Sequence, residues 1–123
     1  MAKYLIKHWI NVDVIAGAAT AGIPHAAILA NLLKLPMIYV RPEPKEHGMK
    51  NQVEGLLLKE QNTIVLEDLV STGGSALKVI NAIRAKGAFA QHCLAIFSYG
   101  FNESEKAFKA AKCALYPLLT FSS

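Results

Sequence analysis

The chain has no apolar run approaching the roughly 18–20 residues needed to cross a bilayer. Its first ten residues mix Lys3, Lys7 and His8 with apolar ones and offer no small-residue cleavage site, so no secretory signal is expected there. Cysteine is scarce: Cys93 and Cys113 lie too far apart for a CxxC pair, and each sits in an apolar segment. Two buried free thiols in a reducing, cytoplasmic compartment are the expectation. Charge is also low, at 18% of residues against 53% apolar, which excludes a disordered chain. The 13 Lys and Arg exceed the 9 Asp and Glu, for a net charge of +4. They are scattered apart from a loose group between Arg41 and Lys50, so the dense basic stripe of a nucleic-acid binder is absent. There is no internal repeat, low-complexity tract or interdomain linker. A single domain over residues 1–123 is expected.

What is present is an alternation of short apolar runs and helical patterns. Val12–Ala16, Met37–Val40, Thr63–Leu66, His92–Phe97 and Ala114–Leu118 read as strands. Ile23–Leu33 reads as a helix with Pro24 in its first turn, and Glu103–Ala111 as another. Ser75–Lys86 is the clearest helix: Ala76, Leu77, Val79, Ile80 and Ile83 share one face, and Gly87 stands where a helix ends. Arg41–Asn51, with two prolines and a glycine, reads as a long loop. This order predicts an α/β fold with a central, mostly parallel sheet flanked by helices. Such sheets bind ligands beyond the carboxyl ends of their strands. The turns after Ala16, Val40 and Leu66 are therefore the places to look.

The third of these turns reads Glu67-Asp68-Leu69-Val70-Ser71-Thr72-Gly73-Gly74-Ser75. Glycines let backbone approach an anion, and the start of a helix offers unpaired N–H groups with partial positive charge. Ser71, Thr72 and Ser75 add hydroxyls. An ordinary strand–turn–helix junction with a Ser or Thr cap accounts for one hydroxyl, but not for two acids at the end of an apolar strand. Carboxylates beside a phosphate site suit sugar hydroxyls or a hydrated Mg²⁺. The pattern describes a ribose 5-phosphate site. It resembles the phosphoribosyl-pyrophosphate (PRPP) signature of the type I phosphoribosyltransferases, whose core is Rossmann-like. That resemblance implies that Glu67 and Asp68 meet the ribose, and that Leu69, Val70, Ser71, Thr72, Gly73, Gly74 and Ser75 form the phosphate-holding turn.

The other two turns narrow the resemblance. Gly17-Ala18-Ala19-Thr20-Ala21-Gly22-Ile23-Pro24 has the glycine spacing of a Walker A loop, but Ile23-Pro24 replaces the required Lys and Ser or Thr. The segment is similar to the pyrophosphate loop of orotate phosphoribosyltransferases. Ala19, Thr20, Ala21 and Gly22 are then PRPP-binding, and a non-proline cis peptide is implied at Ala19–Thr20. Ala21 stands where related enzymes often have lysine, which removes a direct charge from this loop. Arg41-Pro42-Glu43-Pro44-Lys45-Glu46-His47-Gly48 resembles the flexible catalytic loop of the same family, with Pro42 where many relatives carry a second basic residue.

The resemblance implies transfer of 5-phosphoribosyl from PRPP to orotate, giving orotidine 5′-monophosphate and pyrophosphate with Mg²⁺, in pyrimidine biosynthesis. Lys45 would be the main leaving-group contact, Arg41 a clamp on phosphate oxygens, and His47 a hydrogen-bond or proton donor. Asp68 completes the catalytic set, and Ser71 is the orotate contact. A homodimer with shared active sites is implied, because this loop closes over the neighbouring subunit's site. No protein-only metal site, nucleic acid or membrane is expected. The family is longer at both ends, with an N-terminal hood and a C-terminal helix, and Ser98–Phe101 has no arginine for the orotate carboxylate. The expectation is a core shortened at both ends that keeps PRPP-site geometry and turns orotate over poorly. The alternative is a PRPP-binding regulator or a non-catalytic fragment of this family.

Overall fold

Val14–Ala18 forms β1, and all five of its residues are buried, as both faces of a central parallel strand require. It anchors a computed structural model that describes residues 11–43 and 52–120. Helix α1 spans Gly22–Leu33, β2 Met37–Val40, β3 Val53–Glu54 and β4 Asn62–Val70. Helix α2 spans Gly74–Ala85, β5 Phe89–Ser98, α3 Asn102–Ala110 and β6 Ala114–Thr120. The six strands form one sheet in the order β3-β2-β1-β4-β5-β6. All neighbours are parallel except β3, which runs antiparallel to β2.

The two faces of the sheet have separate cores. On one, Ala26, Leu29, Ala30 and Leu33 of α1 pack on Ile15, Ile64, Leu66 and Leu94. On the other, Val79, Ile80 and Ile83 of α2 and Phe108 of α3 pack on Val14, Ala16, Val65 and Cys93. Cys93 and Cys113 are buried free thiols, and burial pushes both up, Cys113 to about 11. Among the described residues, no helix is long and apolar enough to cross a membrane.

Two strand ends beside the crevice and one whole strand differ from the sequence expectation. The first strand runs to Ala18, so Gly17 and Ala18 belong to the sheet rather than to the following turn. The strand expected to stop at Leu66 continues to Val70, with Leu69 and Val70 still paired to Phe97 and Ser98 of β5. The acidic pair had broken the apolar run, yet the backbone ladder does not depend on side-chain polarity. Strand β3 was unforeseen. Its two residues show no alternation, and only the pairings Tyr39–Glu54 and Val40–Val53 define it.

Strand order fixes where a ligand can enter. From β1 the chain crosses through α1 to β2 on one side, and from β4 it crosses through α2 to β5 on the other. The adjacent strands β1 and β4 thus send their following turns apart, onto opposite faces of the sheet. A crevice opens between those turns, at the topological switch point where open α/β sheets bind ligands.

Candidate functional site at the ends of β1 and β4

Close packing of α1 against the sheet builds the first wall of the crevice. A Cβ on Gly22 would lie 2.4 Å from the Leu66 carbonyl oxygen, and one on Gly17 would lie 2.9 Å from the Ala26 Cβ. Glycine at these positions lets the first turn of α1 rest directly on β1 and β4. The turn before it contains the cis peptide Ala19–Thr20 expected from the resemblance. Ala19 N–H donates to the Val40 carbonyl at 2.8 Å, which ties this turn to the end of β2. No side chain caps α1, whose N-cap is Ala21. Thr20 and Ala21 are exposed, whereas Gly22 is buried.

The turn after β4 forms the second wall. Gly73 adopts φ 95°, a left-handed conformation that L side chains rarely take, and serves as the N-cap of α2. Again no side chain caps the helix. Ser71, Thr72 and Ser75 are exposed, so their hydroxyls are not spent on capping as in an ordinary junction. Leu77 N–H makes the first helical bond, to the Gly73 carbonyl at 2.9 Å. The backbone N–H groups of Gly74, Ser75 and Ala76 therefore precede the helical ladder and face outward from its positive end. Val70 is buried in the core, while Leu69 is exposed. The Val70 carbonyl accepts from Tyr99 N–H at 3.0 Å, which closes the strand.

The two acids have different surroundings. Successive strand residues point to opposite faces, so Glu67 and Asp68 diverge. Asp68 projects to the α1 side, where its Oδ1 accepts a hydrogen bond from His25 Nε2 at 3.0 Å. Glu67 is only 8% exposed. Burial raises its carboxyl from the ordinary 4.5 to about 7, opposed by a bond from Asp68 N–H and assisted by the Asp68 charge. Glu67 thus carries a proton for much of the time near neutral pH, whereas Asp68 meets solvent through about two fifths of its side chain.

The end of β2 borders the same region. Ala19, Thr20, Ile23, Tyr39, Arg41, Pro42 and Glu43 line a cleft of about 480 Å³. Arg41 is held from several sides. Its N–H donates to the Gln52 carbonyl at 2.8 Å, its guanidinium pairs with Glu54, and it lies 5.3 Å from the centre of the Tyr39 ring. The bond to Glu54 raises the Arg41 pKa, so the cation is secure. Glu43 pairs with Lys78 of α2, which joins the cleft to the helix that follows the turn after β4. Lys45 and His47 lie outside the described residues.

Sequence reasoning overlooked His25, Tyr39, Glu54 and Lys78. His25 left one trace, a titratable side chain in the first turn of an otherwise apolar helix. The partnerships of Tyr39, Glu54 and Lys78 left none, since each depends on contacts across the fold.

The whole arrangement can be set beside known proteins. The family model described as the phosphoribosyl transferase domain matches residues 1–114. The orotate phosphoribosyltransferase of Listeria innocua is 46% identical over 98% of this chain and 58% of its own length. That of Lactococcus lactis is 50% identical over 98% of this chain and 58% of its own. The chain thus spans somewhat over half the length of these curated relatives. Among solved structures, the orotate phosphoribosyltransferase of Aeropyrum pernix superposes with a TM-score of 0.82 at 33% identity, over 91% of this chain and 62% of the other. With a family model over residues 1–114 and relatives 46–50% identical along nearly its whole length, the chain belongs to the phosphoribosyltransferase family.

Proposed function

We propose that this chain is the core domain of an orotate phosphoribosyltransferase, which joins the 5-phosphoribosyl group of PRPP to orotate and releases pyrophosphate. The observation that carries the reading is the likeness to orotate enzymes along nearly the whole chain, laid over a crevice with an uncapped helix start on each wall. The α2 N-terminus and the Ser71, Thr72 and Ser75 hydroxyls suit a dianionic 5-phosphate. Asp68 suits a sugar hydroxyl, because an exposed carboxylate accepts several hydrogen bonds. Glu67 contributes from its buried side, where the protonated form can donate. The backbone of Ala19–Gly22 lies next to the Arg41 cleft, an arrangement that suits pyrophosphate.

The demanding step is departure of pyrophosphate from C1 of the ribose, which leaves positive charge on the sugar while the orotate nitrogen bonds to the same carbon. Cations already in place lower this barrier electrostatically. Arg41 offers a planar fork for two phosphate oxygens. To use it, the guanidinium must loosen from Glu54 or share its donors with the substrate. Lys45 and His47 are assigned to the leaving group by resemblance, acting across a dimer in which each catalytic loop serves the other subunit's crevice. Ser71 is assigned to orotate on the same ground.

Mg²⁺ fits such a site as an ion that arrives with the substrate. Among the described residues no group of three His, Cys, Asp or Glu side chains is arranged to hold a metal. One exposed carboxylate suits an ion whose other ligands are phosphate oxygens and water. Once bound, the ion neutralises charge on the departing pyrophosphate.

Titration of the chain with PRPP and Mg²⁺, with and without orotate, tests the reading. PRPP binding with slow formation of orotidine 5′-monophosphate is expected. PRPP binding indifferent to orotate would replace the transferase with a PRPP-binding regulator or a non-catalytic fragment of the family, and no PRPP binding would remove all of these. Mixed dimers of Lys45→Ala and Asp68→Ala chains should recover part of the lost activity if the sites are shared.

A further inference from the structure

We infer that His25 is a positioning residue for the acidic ribose contact. The inference rests on the reading of Asp68 as the carboxylate that meets the sugar. A side chain in the first turn of α1 reaches β4, the third strand after that helix in the chain, and the bond joins the two walls of the crevice. Gly22 makes that reach possible, since the helix start sits directly against the Leu66 carbonyl. Leu66 and Asp68 alternate onto the same face of β4. The residue three places after Gly22 then falls above Asp68, and the His25 Nε2–H donates to Oδ1 at 3.0 Å.

The Asp68 carboxylate takes no other side-chain partner among the described residues. Free of His25, its carboxylate would rotate between staggered positions about Cα–Cβ and expose either oxygen. The imidazole occupies Oδ1 and leaves Oδ2, with its two lone pairs, for a hydroxyl. A half-exposed carboxylate held in this way loses less rotational freedom when ligand binds, which is where preorganisation adds affinity. The bond also passes information in the other direction. His25 belongs to the helix that begins at the pyrophosphate-type loop, so the sugar contact and that loop share one rigid element.

An ordinary cross-link between helix and strand would show the same distance. The two roles separate in a double-mutant cycle read by PRPP affinity in the presence of Mg²⁺, with the melting temperature of each chain measured alongside. His25→Ala should weaken PRPP binding roughly five- to tenfold, the loss expected when one hydrogen bond to a charged group no longer orders it. His25→Gln, whose amide N–H can donate to the same oxygen, should restore most of the affinity. In an Asp68→Ala background, His25→Ala should add less than about twofold, because the group it positions is gone. Full independent losses in the double variant, or equal affinities for the Ala and Gln chains, would overturn the inference. The reading it rests on fails differently: Asp68→Ala would then bind PRPP as tightly as the parent chain. If His25→Ala does not fold, His25→Gln is tested alone: near-parental PRPP affinity is expected, and a loss as large as that of Asp68→Ala would overturn the inference.

Discussion

Substituting Gly22 by alanine sets two opposing effects against each other, and the geometry says which prevails. Within a helix, Ala is favoured over Gly by about 1 kcal/mol. On that basis alone the variant would be more stable. At this position, however, the added methyl would lie 2.4 Å from the Leu66 carbonyl oxygen, well inside the 3.0 Å limit that real Cβ contacts observe, and 3.5 Å from the Ala18 Cβ. The obstacle is the backbone of β4, which is hydrogen-bonded on both sides and cannot rotate aside. The first turn of α1 must lift by at least about 0.6 Å, and overpacking of this sort costs about 1–3 kcal/mol. The clash therefore prevails over most of that range, with a net loss of up to about 2 kcal/mol and a fall in Tm of up to roughly 8 °C. The same displacement lengthens the 3.0 Å bond between His25 and Asp68, so PRPP affinity should fall as well. Urea unfolding gives the first quantity and calorimetric titration with PRPP and Mg²⁺ the second. An unchanged urea midpoint would refute the packing argument. A lowered midpoint with unchanged PRPP affinity would refute the connection between α1 and the acidic contact.

Two other substitutions test separate parts of the structure. Because burial raises Glu67 from 4.5 to about 7, the folded protein holds a proton that the unfolded chain releases earlier. Its stabilising contribution is complete below about pH 4.5 and is lost as pH rises to about 7, after which it changes no further. Allowing for partial access to solvent, Glu67→Gln should be more stable than the parent by roughly 1–2 kcal/mol at pH 8 and nearly equal at pH 4, as a pair of denaturant curves would show. Arg84, near the end of α2, donates to the Ala111 carbonyl at 2.7 Å and the Ala90 carbonyl at 2.8 Å, joining α2 to β5 and to the end of α3. Arg84→Met keeps much of the aliphatic stem but strands these acceptors, and should lower stability by about 2 kcal/mol. A loss below about 0.5 kcal/mol would mean that water replaces the guanidinium.

The residues explain why some of this could be read in the sequence and some could not. Strand β1 was recognisable because a strand buried on both faces must be apolar throughout. The turn after β4 was recognisable because glycine at Gly73 allows φ 95° and small hydroxylated residues surround it, and both leave a local mark. The divergence of Glu67 and Asp68 was hidden by the assumption that the strand ended at Leu66. Once the ladder is known to continue to Val70, alternation alone sends the two carboxylates apart, Glu67 into the core and Asp68 to the α1 side. The Arg41 environment was illegible for another reason. Its partner Glu54 sits on a two-residue strand with no pattern of its own, and reaches Arg41 only because β3 folds back on β2.

The unequal lengths of β1 and β4 have a consequence for how such a site can change. Asp68 is carried by the sheet, two residues beyond Leu66, the last residue of β4 paired to β1, and its neighbours Leu69 and Val70 are still paired to β5. The exposed hydroxyls begin only at Ser71, where regular pairing ends. A longer or shorter turn between Val70 and Gly74 would alter the start of α2 and leave the carboxylate in place. On the proposed function, sugar recognition is then built into the chassis and anion recognition into a replaceable fitting, so the latter can be remodelled without retuning the former.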